Sequence, residues 1–204
     1  SGGLQISTGI SVKKNSGSIS LKAGDSIYKG GYISLYAGNS ETETGGAIIL
    51  SSGSSASSGS GSINILTQGG SSASGSINIG TGIGLDGMAG SISLSTGSSK
   101  GFGGSIIISG GINEREAGSI VLFGGNSVSE TGGNLNLQSG KSVTSVSGGV
   151  IISSRSSPYG SGSTSISTGL ALSGNSGDII SVTGVSKVRS GSIILSVGAS
   201  NLKG

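Results

Sequence analysis

The chain has 204 residues, of which 44 are glycine, and it contains no cysteine, no histidine and no tryptophan. Only 9% of its residues are charged, and its formal net charge is +3 at pH 7. This composition excludes disulfides and histidine-activated nucleophiles. Its dispersed Lys and Arg residues do not indicate nucleic-acid binding, and no apolar run is long enough to predict a membrane-spanning helix.

A unit of 14 or 15 residues recurs fourteen times from one end of the chain to the other. Each unit holds an aliphatic residue, here called the anchor, and a second aliphatic residue two positions later. Thr164 occupies the anchor position in one unit, and Ser181 replaces the second aliphatic residue in another. The aliphatic anchors are Leu4, Ile19, Ile33, Ile48, Ile63, Ile77, Ile92, Ile106, Ile120, Leu135, Val150, Ile179 and Ile193.

Glycine brackets every unit. A leading glycine stands two positions before each anchor, and a trailing glycine stands five positions after twelve of the fourteen anchors. Since only glycine adopts positive φ freely, we interpret both sets as sharp bends. After Gly2 in the first unit, the leading glycines are Gly17, Gly31, Gly46, Gly61, Gly75, Gly90, Gly104, Gly118, Gly133, Gly148, Gly162, Gly177 and Gly191.

The six residues between a leading and a trailing glycine alternate between apolar and polar side chains, which predicts a strand with one buried face. A single strand cannot bury its aliphatic pair, so we expect the units to stack in register. The predicted fold class is therefore all-β, a β-solenoid of parallel stacked coils in one continuous repeat domain over residues 1–204. Neither end carries an atypical cap, which predicts a fragment of a longer array or ends that stack.

The number of units in a coil stays open between two and one. Anchors two units apart differ by 29 residues in nine of twelve cases, which favours two units and about 29 residues per coil. Two units would let aliphatic side chains from opposite strands meet across a thin core. A coil of one unit would need the polar connection to close that core.

An additional aliphatic residue directly follows the anchor in six units. If the anchor faces inward, these residues face outward, and we interpret them as a candidate interface between two copies of the chain. The six are Ile49, Ile107, Val121, Ile151, Ile180 and Ile194.

No pattern predicts catalysis, a cofactor or a metal. Gly82–Gly87 has the spacing of a dinucleotide-binding loop, but another strand follows it where that motif needs a helix. Asp25, Asp86 and Asp178 take unrelated positions in the unit, which argues against a calcium site in each turn. We interpret Glu114 and Glu116 around Arg115 as solvated loop charge, and we predict that the protein is not an enzyme.

The tandem units of the form G-S-I-x-L-x-[ST]-G, as in Gly90–Gly97, resemble the Gly/Ser-rich repeats of algal, especially diatom, wall-associated and secreted proteins. They resemble more loosely the haemagglutinin-type β-helices of bacterial adhesins. Both resemblances cover the whole chain and imply an extracellular or cell-surface protein with a structural or adhesive role. Neither brings catalytic residues.

Three functions follow as expectations. The first is a structural repeat protein that associates with itself into a rod, filament or matrix. The second is an ice-binding protein that uses a flat Ser/Thr face, because threonine recurs four residues after the anchor, as at Thr8, Thr67 and Thr96. The third is an adhesin stalk that binds polysaccharide, for which Tyr32 and Tyr36 are candidate sugar-stacking residues.

Overall fold

Each repeat unit before the last consists of a stretch without bends followed by a loop that contains a bend. A computed structural model of the protein describes residues 2–85 and 87–199. Over these residues the chain contains neither a helix nor a strand, and its only local features are bends. The stretches without bends, here called the extended segments, run from a leading glycine to the position of the trailing glycine, and the connections between them form the loops.

The prediction of an all-β solenoid is wrong. A strand requires a ladder of backbone hydrogen bonds to a neighbouring strand, whereas the backbone hydrogen bonds of the described residues join consecutive extended segments only at their terminal glycines. Alternating aliphatic residues favour an extended local conformation, but they do not supply the long-range pairing. Each unit offers only about two aliphatic side chains against the conformational entropy of ordering 14 or 15 glycine-rich residues.

No side chain is buried in the described part of the chain. The protein exposes 21283 Å² of surface. A compact protein of the same mass would expose only about 8500 Å². The described residues therefore lack the continuous aliphatic core expected for stacked coils.

The bend in each loop begins at a constant position, eight residues after the anchor. In loops that belong to 15-residue units the bend covers three residues, as at 41–43, 56–58 and 143–145. In most loops of 14-residue units it covers two, as at 27–28 and 158–159. The variable residue of the repeat is thus accommodated at the loop tip, which leaves the length of the extended segment constant.

The described leading and trailing glycines do not adopt the positive φ expected for sharp bends. In the described part of the chain only Gly160 has a positive φ, at 145°, and it is neither a leading nor a trailing glycine. Several leading glycines are instead crowded. A Cβ atom added to Gly17 would lie 3.1 Å from Thr8 Cβ, and one added to Gly46 would lie 3.1 Å from the Gly38 nitrogen. An added Cβ would make only ordinary contact at Gly61, Gly148, Gly162, Gly177 and Gly191.

By its internal contacts the chain divides into two parts, Ser1–Ser95 and Thr96–Gly204, each of which contains several repeat units. Each has the same alternation of extended segments and loops. Among the described residues of both, no helix is long and apolar enough to cross a membrane.

Candidate functional site

Apart from Thr164 and Ser181, the extended segments expose aliphatic side chains at the same two positions in every unit. The anchors are about half exposed, from 49% for Ile77 to 60% for Ile179, apart from the first anchor Leu4 at 89%. The aliphatic residues two positions later are more exposed, as shown by Leu94 at 72%. The two positions therefore form a repeated apolar side on each segment, here called the apolar face, and it is only partly covered.

The six candidate interface residues add exposed aliphatic surface next to their anchors. Ile49, Ile107, Ile151, Ile180 and Ile194 are all more exposed than the anchors beside them, and Ile151 reaches 90%. Val121 is exposed by 62%. All six side chains are therefore largely open to solvent in the single chain.

Many of the loops are closed at a neck, where the leading glycine of one unit meets the end of the preceding extended segment. Gly133 illustrates the geometry, because its amide donates a hydrogen bond of 2.8 Å to the carbonyl oxygen of Gly125. The same bond, from leading glycine to preceding trailing glycine, closes six necks at 2.8–3.1 Å. Its donors are Gly31, Gly46, Gly61, Gly118, Gly133 and Gly148.

The residue four positions after the anchor forms the other wall of the neck. This position holds small or β-branched residues, and two threonines there bond across necks other than the six above: Thr8 Oγ1 donates to Gly17 O at 3.1 Å, and Thr96 Oγ1 donates to Gly104 O at 3.4 Å. The recurrent threonines at this position that the sequence suggested for an ice-binding face thus lie beside the loop necks. The described residues also form no sheet on which a flat rank of threonines would stand.

A serine seven positions after the anchor holds the loop tip. Its hydroxyl oxygen accepts a hydrogen bond from the backbone amide two or three residues later, a local turn typical of serine. Ser127 Oγ, for example, accepts from the Glu130 amide at 2.9 Å, and Ser40 Oγ accepts from the Glu43 amide at 3.0 Å. The serines that accept such bonds are Ser11, Ser26, Ser40, Ser55, Ser99, Ser127, Ser142, Ser157 and Ser186.

Sequence reasoning missed these serines, although the signal was present. Counted from the anchor, position seven is serine in nine of the thirteen complete connections and asparagine in a tenth, at Asn113. Asn113 closes its loop differently, because its Nδ2 donates to the Glu116 carbonyl oxygen at 3.2 Å. At Gly70 and Gly84, where a serine would otherwise stand, an added Cβ would press on backbone carbonyls, those of Ala73 and of Gly87 and Met88 respectively.

The charged groups do not assemble a chemical site. Glu114, Arg115 and Glu116 line a shallow open concavity at one loop tip together with Asn113. Lys22 and Asp25 form an exposed ion pair of 2.8 Å, which contributes little in water. The described residues contain no group of three or more acidic side chains that could hold a metal ion. Asp86 lies outside the described residues.

Comparison of the chain with protein families, with curated proteins and with solved structures found no match. The resemblance to algal wall-associated repeats and to adhesin repeats therefore stays a prediction. The arguments that follow rest on the geometry of the segments and loops.

Proposed function

We propose that this protein is a structural repeat protein of an extracellular or cell-surface material, and that its aliphatic residues are covered by other copies of the same chain. The observation that carries the proposal is the repeated apolar face, which no part of the described chain buries. Burial of apolar surface is the main driving force of association. An anchor such as Ile92, which is 54% exposed, still has about half of its surface available for it.

The regularity of the repeat favours a second copy over an unrelated partner. Every extended segment has the same length, and the segments carry aliphatic residues at the same two positions, with Thr164 and Ser181 as single departures. A segment of one copy can therefore meet any segment of another with matched spacing. The backbone groups of the segments are also open to hydrogen bonds from a second chain, because the intrachain backbone bonds lie in the loops.

The closed loops support a structural role by restricting the chain between segments. At six necks a backbone hydrogen bond brings the ends of the loop together, so that the segments on either side are connected by a short, defined junction. A junction that is ordered before association lowers the entropy that association must overcome. The Gly/Ser loops are then spacers between adhesive segments, and the proposal assigns them no catalytic or cofactor-binding role.

Analytical ultracentrifugation of the purified chain over a wide concentration range, combined with electron microscopy of the concentrated material, tests the proposal. We expect the average mass to rise with concentration and the concentrated protein to form filaments or sheets. A chain that remains a monomer at high concentration would overturn the assignment. Immunolocalisation of the native protein tests the extracellular or cell-surface location separately.

A further inference from the structure

Two of the four tyrosines of the chain occupy equivalent positions at loop tips. Tyr28 and Tyr159 each stand nine residues after an anchor position, in loops of 14-residue units. In both loops the hydroxyl oxygen of the serine two residues earlier accepts a hydrogen bond from the tyrosine amide, at 3.1 Å for Ser26 and 3.3 Å for Ser157. The two phenol rings are 93% and 100% exposed. The repeat therefore holds two tyrosines on matching local turns with their rings in solvent.

The rest of the composition directs one-electron oxidation toward these rings. Cysteine and tryptophan, the side chains that compete most strongly with tyrosine for a one-electron oxidant, do not occur in this chain. The single methionine is Met88, whose ordinary oxidation product is a sulfoxide rather than a link between chains. Exposed phenols are thus the groups available for covalent joining.

We propose that Tyr28 and Tyr159 are oxidative cross-linking sites that join copies of the chain through dityrosine bonds. The co-reactant is hydrogen peroxide, used by a peroxidase-type one-electron oxidant. Each of two phenols loses one electron and one proton, and the two phenoxyl radicals form a carbon–carbon bond between the ring positions beside their hydroxyl groups. Hydrogen shifts from those carbons to the oxygens restore both phenols, while the peroxide O–O bond breaks and its oxygens leave as two molecules of water.

The position of the two residues along the chain suits this role. Tyr28 belongs to the part Ser1–Ser95 and Tyr159 to the part Thr96–Gly204, so each half of the chain has one tip tyrosine. Two reactive groups per chain are enough to connect many copies in succession. The inference rests on the proposed self-association in one respect, because association brings loop tips of neighbouring copies within reach of each other.

The remaining two tyrosines differ in their setting and provide a matched control. Tyr32 directly precedes the anchor Ile33, and Tyr36 follows it by three residues, so both lie on an extended segment. They are 85% and 90% exposed in the single chain, and association through that segment would restrict their access to the oxidant. The loop tips lie outside the associating segments and stay accessible.

The test treats the full chain with a peroxidase and hydrogen peroxide and compares it with two double variants, Tyr28→Phe/Tyr159→Phe and Tyr32→Phe/Tyr36→Phe. Each variant keeps two tyrosines and all of its aromatic rings. Dityrosine fluorescence, covalent multimers on a denaturing gel and mass mapping of the linked peptides are the readouts. We expect the tip variant to lose most of the multimers and the segment variant to keep most of them, with the links mapping to Tyr28 and Tyr159.

Equal multimer yields from the two variants, or links that map to Tyr32 and Tyr36, would overturn the inference. Sedimentation of the same samples without oxidant separates this result from the proposed function. If the untreated chain associates but its tips do not couple, only the cross-linking inference fails. If the chain stays monomeric and its tips still couple, the cross-linking inference stands and the proposed self-association fails.

Discussion

The amide of Gly133 lies 2.8 Å from the carbonyl oxygen of Gly125, and this bond closes a loop of seven intervening residues. Inside the same loop Ser127 Oγ accepts a hydrogen bond of 2.9 Å from the Glu130 amide. One bond at the neck and one at the tip thus give the loop its form. Because related bonds recur at other necks and tips, the loop 125–133 is a suitable place to measure what they contribute.

Replacement of Gly133 by alanine should open the neck. The added Cβ would lie 2.9 Å from the Gly125 nitrogen, closer than side chains normally approach backbone, so the hydrogen bond must lengthen or break. Hydrogen exchange at residue 133 measures the effect, and we expect Gly133→Ala to lose its amide protection. Gly125→Ala is the matched control, because a Cβ there would meet nothing within 4 Å. Equal loss of protection in both variants would show that backbone entropy, not space, selects glycine at the neck.

Replacement of Ser127 by alanine should loosen the loop tip without opening the neck. The lost hydrogen bond is exposed, so we expect a cost of about 0.5–1 kcal/mol in the local opening free energy. Exchange at the Glu130 amide should accelerate accordingly, while that at Gly133 should change little. Ser129→Ala, at another exposed serine of the same loop, should leave the Glu130 amide unchanged. A similar acceleration from Ser129→Ala would argue against the role of Ser127.

Replacement of Ile92 by aspartate should act on the assembly and not on the single chain. Ile92 is 54% exposed, so a carboxylate there remains hydrated in the monomer. In an assembly that covers the apolar face, the same carboxylate would be desolvated at a cost of several kcal/mol. Sedimentation should show a much higher concentration for association in Ile92→Asp than in Ser93→Asp, whereas circular dichroism of the dilute variants should match the wild type. A change in the dilute spectrum of Ile92→Asp would indicate that the side chain is buried within one chain.

Removal of divalent metal should have no effect on the chain. The described residues offer no cluster of acidic side chains, and hard cations such as calcium need several oxygen ligands together. Circular dichroism and sedimentation with and without a chelator should coincide. A loss of association on chelation would reveal a site shared between copies.

The position of the loops could be predicted from the sequence, and the pairing of strands could not. The spacing of Gly118, Ile120, Leu122 and Gly125 predicts a strand between two glycines, whereas the structure has a stretch there with neither a strand nor a bend. The same spacing suggested stacked strands, but an alternation of apolar residues specifies only which side of a segment is apolar. It does not specify whether the partner segment comes from the same chain. In this structure no partner segment of the same chain is in place.

In the candidate site, the apolar surface could be predicted from the sequence and the roles of the loop residues could not. The anchors and the six additional aliphatic residues are readable as an apolar surface from their period alone. The roles of the loop residues could be assigned only from the structure. A lack of space for a Cβ atom and a need for positive φ would both place glycine at Gly133, so the sequence does not distinguish them. Only the distance from a hypothetical Cβ to Gly125 separates them. The tip serines were overlooked because the connections were treated as uniformly polar, although Ser127 and its equivalents keep a constant distance from the anchor.

The most direct test of the central claim is hydrogen exchange of the anchor segments, measured by mass spectrometry over a series of protein concentrations. The claim is that other copies of the chain, and not the chain itself, cover residues such as Ile92 and Leu94. We expect peptides spanning these residues to exchange at the rate of an unprotected chain in dilute solution and to become protected as the protein associates. Strong protection of the anchor segments in the dilute monomer would contradict the account, because it would place the apolar core within a single chain.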